Sequence, residues 1–278
     1  MKEIYDKVSL ECSKLVTKSY STSFSLGISM LDKKIQSDIY AIYGFVRLAD
    51  EIVDSFHDFD KKELLIKFRK DTIEAIKNQI SLNPILNSFQ HVVNNYNLEW
   101  ENIELFLDSM KHDLDNKEYD IESYKKYING SAEAVGLMCL KVFCNGNEKL
   151  YNNLKGAACT LGSAFQKINF LRDLNADYKI LKRVYFPDLD IEKFNDIEKQ
   201  KIELDIENEF KQALKGIKRL PSNSKMGVYL AYFYYYALFN KIKAIPANKI
   251  LTKRIRISNI HKFIILIGVY LRTKINIT

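Results

Sequence analysis

The stretch YAIYGFVRLADEIVDSF, residues 40–56, carries polar side chains where a buried helix would be apolar. At roughly 100° per residue, four of them share a wedge of about 60° on one helix face: Tyr43, Arg47, Asp50 and Asp54. Most other positions are apolar, so the pattern predicts a helix buried nearly all round, whose charges need partners. Two aspartates one turn apart suit divalent cations held over a cavity. A solvated stripe with an Arg–Asp pair remains the alternative.

A second segment, GSAFQKINFLRDLNAD at residues 162–177, repeats this pattern with Arg172 beside it. Its polar face holds Gln166, Asn169, Asp173 and Asp177. Two helices with D-x-x-x-D spacing predict that their acidic faces meet across one pocket. Oxygen donors without His or Cys indicate Mg²⁺, with Mn²⁺ as the alternative, bridging carboxylates to substrate phosphates. The candidate metal ligands are Asp50, Asp54, Asn169, Asp173 and Asp177.

These motifs resemble those of the squalene/phytoene synthase family, the head-to-head prenyl synthases, and are most like those of bacterial phytoene synthases. The first acidic helix resembles the aspartate-rich helix of that family. NFLRDLNAD at 169–177, followed by RVYFP at 183–187, resembles its second signature, and STSFS at 21–25 resembles its serine-rich segment. The matches extend from about residue 20 to about residue 256 and cover most of the chain.

The resemblance implies roles for individual residues. Catalytic roles are implied for Asp50, Asp54, Asp173, Asp177 and Tyr235. Diphosphate binding is implied for Ser21, Ser23, Tyr43, Arg47, Gln166, Arg172, Arg183 and Arg254. The wall of a prenyl-chain tunnel is implied to include Phe24, Ile28, Tyr127, Ala134, Val135 and Gly136. The residues alone leave alternatives open, because serines often cap helices and small residues also admit a neighbouring helix. One departure is Asn129, where the family often has a second tyrosine.

Composition indicates an all-α fold. The 278 residues include only ten Gly and four Pro, and 47% are hydrophobic, which is enough for a sizeable core. Helical periodicity continues along the chain without a low-complexity linker or a repeat. We therefore predict one domain, residues 1–278, and the resemblance implies a helical bundle of the isoprenoid synthase type around a central cavity.

Charge and cysteine content bear on location and partners. Four cysteines without C-x-x-C spacing predict free thiols in a reducing compartment, and the charged N-terminus lacks the apolar run of a signal peptide. We expect a cytoplasmic protein without a nucleic acid partner. The segment at about 250–278 is basic and contains the apolar run FIILIGVY, which is far shorter than the ~20 residues that a transmembrane helix needs. Peripheral contact with the membrane and docking on the bundle are both open for it.

The resemblance implies Mg²⁺-dependent condensation of two prenyl diphosphates through a cyclopropylcarbinyl diphosphate. We expect two geranylgeranyl diphosphates to give phytoene, as in carotenoid biosynthesis. NADPH is not expected, because no G-x-G-x-x-G follows a strand pattern. One alternative is a squalene or dehydrosqualene synthase using farnesyl diphosphate. Another is a non-catalytic helical assembly factor that retains the fold, although both acidic motifs are intact here.

Overall fold

The structure, a computed structural model, describes residues 2–115, 119–181, 183–187, 189–252 and 254–274, with the backbone alone for 180, 181 and 272–274. Within these ranges every regular element is a helix, which confirms the all-α prediction. The α-helices in chain order are α1 Lys2–Tyr20, α2 Thr22–Ser29, α3 Lys33–Asp54, α4 Lys61–Asn78, α5 Pro84–Tyr96, α6 Trp100–Asp115, α7 Ile121–Ile128, α8 Ala134–Cys144, α9 Glu148–Ala176, α10 Asp196–Ile217, α11 Ser222–Lys243, α12 Ala247–Ile250 and α13 Asn259–Lys274.

The two helices that carry the acidic motifs begin at side-chain caps. The Asp32 carboxylate accepts a hydrogen bond from the backbone N–H of Lys34 at 2.9 Å, just before α3. The Asn147 side chain accepts one from the N–H of Leu150 at 2.9 Å, just before α9. Each cap satisfies an N–H that lacks a partner within the helix, typically stabilising the helix by about 1 kcal/mol. The caps therefore mark where each of the two helices begins.

Two apolar clusters form the core, and a cavity lies between them. One cluster centres on Phe45 of α3, which stacks on Phe89 with ring centroids 3.8 Å apart and contacts Phe106 at 5.4 Å. The other combines α9, α10 and α11, where Phe210 stacks on Phe239 at 5.9 Å. Residues of both clusters line the cavity. Burying each such ring contributes roughly 1.5–3 kcal/mol.

Two π-helical turns lie next to this cavity. Asn129–Glu133 joins α7 to α8, and Asp177–Leu181 continues α9. A Cβ on Gly130 would stand 2.2 Å from the Leu105 carbonyl oxygen, so only glycine permits this contact with α6. A Cβ on Gly162 would likewise stand 2.7 Å from the Ala132 carbonyl oxygen. π turns are frequent at functional sites, and these two hold parts of the cavity wall.

The C-terminal helix α13 docks on α11. The Tyr234 hydroxyl donates to the Lys262 carbonyl oxygen at 3.0 Å, and the Lys262 ammonium donates to the Thr22 hydroxyl at 2.8 Å. Docking was one of the two interpretations of the segment at about 250–278, of which residues 253 and 275–278 lie outside the described residues. None of the described helices has the length and apolar character needed to cross a membrane. All four cysteines are free thiols.

Candidate active site

The two acidic helices face one cavity of about 500 Å³. From α3 and α9 it is lined by Tyr43, Arg47, Asp50, Asp54, Gln166, Asn169, Arg172 and Asp173. Asp177, the first residue of the second π turn, and Arg254, which follows α12, also line it. The rest of the lining is mostly apolar, so the cavity combines a polar group of side chains with a hydrophobic interior.

Arg47 organises the first acidic motif. Its guanidinium donates to the carboxylates of both Asp50 and Glu51, and it lies over the ring of Tyr20, 4.3 Å from the ring centroid. Glu51 does not line the cavity. Its contact with the site is made through Arg47, and helical spacing alone, which leaves Glu51 off the polar stripe, did not predict that contact.

The second motif is paired with two arginines from different parts of the chain. Arg172 donates to the Asp173 carboxylate at 2.6 and 3.0 Å. Arg254 contacts the same carboxylate at 2.7 Å from its Nε and 3.1 Å from Nη2. Asp173 is thus held between two guanidiniums at the cavity wall. Phosphate groups are the usual partners of such guanidinium clusters.

A buried network behind the motifs centres on Asp113, which the sequence patterns did not identify. Asp113 accepts hydrogen bonds from the hydroxyls of Tyr119 at 2.7 Å and Tyr127 at 2.6 Å. Arg183 lies 3.5 Å from Asp113 and donates to Asp54 at 3.1 Å. Asp113 falls on the apolar face of α6, at helical spacing from Phe106 and Met110. A charged residue among the apolar positions of this helix face was the feature of the sequence that could have identified Asp113.

Burial and the crowding of negative charge raise the pKa of several carboxyl groups. Burial, reinforced by the Asp54 carboxylate, raises the pKa of Asp50 to about 7. Burial and the neighbouring Asp173 raise the pKa of Asp177 to about 7. Burial raises the pKa of Asp113 to about 6, opposed by Arg183. The arginines therefore leave an excess of negative charge in the cavity, which a bound cation would offset.

The donor set fits Mg²⁺ bound together with a diphosphate. Among the residues that the structure describes, no three Asp, Glu, His or Cys side chains converge closely enough to hold an ion by themselves. Mg²⁺ usually binds through one or two carboxylates plus substrate phosphates and waters. Asp50 and Asp54 on one side, with Asn169, Asp173 and Asp177 on the other, offer such partial sites around the cavity.

Aromatic side chains line the cavity near the motifs. The Tyr235 hydroxyl donates to the Asn169 amide oxygen at 3.3 Å, and its ring stacks on Phe165 with centroids 3.9 Å apart. Phe24 contacts the rings of Tyr43 at 5.2 Å and Tyr235 at 6.0 Å. Burial raises the pKa of Tyr43 to about 12. These phenols therefore stay neutral over the physiological pH range.

The two predicted serines, unlike the aspartates of the motifs, do not line the cavity. Ser21 caps α2, because its hydroxyl oxygen accepts the Phe24 N–H at 3.2 Å. Ser23 lies in the first turn of α2. Neither serine lines the cavity, and neither does Arg183. Diphosphate binding by these three residues stays a prediction.

The predicted tunnel residues divide into two groups. Phe24, Ile28, Tyr127, Val135 and Gly136 line the cavity. Ala134 is fully buried and is not among the lining residues. Its place in the tunnel wall stays a prediction, and Ser131 and Ala132 of the π turn line the cavity next to Val135 and Gly136.

Comparisons with known proteins identify the family and the fold. The sequence profile of the squalene/phytoene synthase family matches residues 17–261. The 4,4'-diapophytoene synthase of Staphylococcus haemolyticus is 26% identical over 187 residues, which are 65% of this chain and 62% of that protein. Phytoene synthase 1 of Solanum lycopersicum, a chloroplastic protein, is 26% identical over 292 residues, covering 96% of this chain and 67% of that protein. The chain thus spans about three fifths to two thirds of these relatives. A crystal structure of a dehydrosqualene synthase in complex with ligand superposes with a TM-score of 0.83, at 20% identity, over 98% of both chains.

Proposed function

The chain belongs to the squalene/phytoene synthase family, and we propose that it catalyses the Mg²⁺-dependent head-to-head condensation of two prenyl diphosphates. The proposed reaction joins two C20 geranylgeranyl diphosphates into phytoene, a step of carotenoid biosynthesis. The observation that supports it is the pair of D-x-x-x-D helices facing each other across one largely apolar cavity. The proposal includes a cytoplasmic location, peripheral membrane contact and no nucleic acid partner.

The reaction begins when the C1–O bond of one substrate breaks and the diphosphate leaves with the electron pair. Arg47, Arg172 and Arg254 place guanidiniums at the cavity wall, where they stabilise the developing negative charge. Bound Mg²⁺ supplies Lewis-acid neutralisation of the diphosphate oxygens. Asp50, Asp54, Asn169, Asp173 and Asp177 would hold it.

The allylic cation must then be kept from water until the double bond of the second substrate attacks it. The apolar lining excludes water, and the rings of Phe24, Phe165 and Tyr235 offer π faces to positive charge. Closure of the cyclopropane releases one proton. Ionisation of the second diphosphate, rearrangement and loss of another proton give the product, so the balance needs no reductant.

Incubation of the purified chain with Mg²⁺ and labelled C20 or C15 prenyl diphosphate, with and without NADPH, tests the proposal. Chromatography with mass detection identifies the product. We expect phytoene from the C20 substrate without NADPH. Dehydrosqualene or squalene as the main product would replace the C20 assignment with a C15 one. No condensation product from either substrate would contradict the enzymatic function and favour a non-catalytic protein.

A further inference from the structure

The side of α13 that faces away from the bundle is apolar. Five large side chains share a wedge of about 100° on it: Ile260, Phe263, Ile264, Ile267 and Leu271. Their exposed fractions range from 44% to 75%. Val269, on the opposite side of the helix, is only 3% exposed. We call the five side chains the outer face of α13.

This outer face has the character of an interaction surface. Single exposed apolar residues are ordinary, but a contiguous exposed group usually marks a binding site for a protein or a membrane. Phe263 and Ile264 are adjacent and each 60% exposed. The match to the family profile ends at residue 261, so four of the five side chains of the outer face follow the matched segment.

Charge favours an anionic bilayer over a second copy of the chain. Residues 210–278 contain fourteen Lys and Arg and no Asp or Glu, whereas residues 1–209 contain 28 Lys and Arg and 35 Asp and Glu. The basic residues include exposed Lys249, Arg254 and Arg256, shortly before α13. Two copies meeting through this region would repel each other. Anionic lipids attract Lys and Arg side chains that lie close to the membrane surface.

The helix α13 contacts an element that lines the cavity. Lys262 of α13 donates to Thr22, the first residue of α2, and α2 contributes Phe24 and Ile28 to the cavity lining. Arg254, five residues before α13, also lines the cavity and contacts Asp173. A surface that bound α13 would therefore be close to the polar side of the cavity.

We propose that the outer face of α13 is a docking surface for an anionic lipid bilayer. The helix lies in the headgroup layer with its apolar side chains inserted, while the basic residues around it contact lipid phosphates. This binding does not depend on the reaction. Its consequence for substrate does rest on the proposed function, because docking would place the cavity next to the phase in which prenyl chains dissolve.

Vesicle co-sedimentation of the full chain tests the proposal. The probes are phosphatidylcholine vesicles with and without phosphatidylglycerol, in about 0.1 M salt, where the Debye length is about 10 Å. We expect binding only to the anionic vesicles. The double variant Phe263→Ser/Ile264→Ser should bind roughly tenfold or more weakly, because it removes two inserted apolar side chains. Its matched control is Ile66→Ser/Leu82→Ser, two exposed apolar residues outside α13.

Charge is tested separately. Lys249→Glu/Arg256→Glu should weaken binding to anionic vesicles by roughly tenfold or more, whereas Lys67→Glu/Lys77→Glu on α4 should not. Thermal melting checks that each variant is folded. Failure of the wild type to bind anionic vesicles, or equal binding by the α13 variants and their controls, would overturn the proposal.

Analytical ultracentrifugation tests whether a second copy of the chain, and not a bilayer, binds the outer face of α13. Self-association of the wild type that Phe263→Ser/Ile264→Ser abolishes, without vesicle binding, would assign the face to a second copy and overturn the proposal. Product formation from detergent-dispersed substrate is measured on the same samples. A chain that binds vesicles but makes no product would contradict the proposed function while supporting this inference.

Discussion

Arg183 donates to the Asp54 carboxylate at 3.1 Å, across 129 positions of sequence. The bond ties the loop after the second acidic motif to the last residue of the first acidic helix. The same buried guanidinium lies 3.5 Å from Asp113. One arginine therefore connects the segment after the second motif both to the first motif and to the buried Asp113.

Arg183→Lys should disturb this connection even though it keeps the charge. An ammonium is a point charge and does not reproduce the fork of a guanidinium. We expect kcat/KM to fall by roughly tenfold or more and the free energy of unfolding to fall by about 1–3 kcal/mol. Steady-state kinetics and urea unfolding measure both. Arg219→Lys, at an exposed arginine, is the control, and an equal response in the two variants would contradict the bridging role.

Asp50→Asn should separate activity from folding. The amide preserves the shape but removes an anionic oxygen from the site, so we expect kcat to fall by about a hundredfold or more. Asp173→Asn should act similarly. Asp58→Asn, at an exposed aspartate, should leave turnover unchanged. Circular dichroism confirms folding, and near-full turnover of either site variant with Mg²⁺ would refute the role of the acidic motifs.

The metal-free protein should lose stability as pH rises. Folding raises the pKa of Asp50 and Asp177 to about 7, from about 3.9 in the unfolded chain. Between these values the folded state binds more protons, so the free energy of unfolding falls with rising pH, by at most about 1.4 kcal/mol per pH unit for each group.

Urea unfolding in EDTA from about pH 5 to about pH 8, within the range that these shifted groups titrate, measures this dependence. The slope should be smaller for Asp50→Asn than for the wild type. Mg²⁺ with inorganic diphosphate should also reduce it, because ligand binding stabilises the folded state. Parallel curves for wild type and variant would show that Asp50 ionises without a folding penalty.

Ile28→Phe should alter the preferred chain length. Ile28 lines the cavity and is only 4% exposed. A larger ring there overpacks the space by typically about 1–3 kcal/mol. We expect use of the C20 substrate to fall more than use of the C15 substrate. Leu82→Phe is the exposed control, and equal losses on both substrates would mean that Ile28 does not limit chain length.

The sequence was sufficient to predict the helical fold and the two acidic faces. Helical spacing is a local property, so it placed Asp50 and Asp54 on one face of α3, and Asp173 near Asp177, without knowledge of tertiary contacts. That both faces border the same cavity agrees with the reasoning that buried charges need partners.

Contacts between distant parts of the chain could not be predicted in this way. Asp113 follows the first motif by more than fifty residues, and only the tertiary fold brings it to Arg183. Glu51 lies off the polar stripe of α3, yet Arg47 reaches it within about one helical turn. A long arginine side chain can contact residues whose Cβ atoms point to different faces of the helix.

The π turn Asn129–Glu133 changes the rotation about the helix axis between the lining residues before it and those after it. Tyr127 and Phe143 both line the cavity, although sixteen residues of uninterrupted α-helix would rotate them about 160° apart. A π turn accommodates one extra residue per hydrogen-bonded ring and so sets the rotation back by about 100°. Deleting one residue here, such as Ser131, would restore α-helical phase and turn the distal half of the lining stripe out of the cavity. The extra residue of the π turn therefore keeps lining residues that are spaced four apart directed at the cavity along the whole helix.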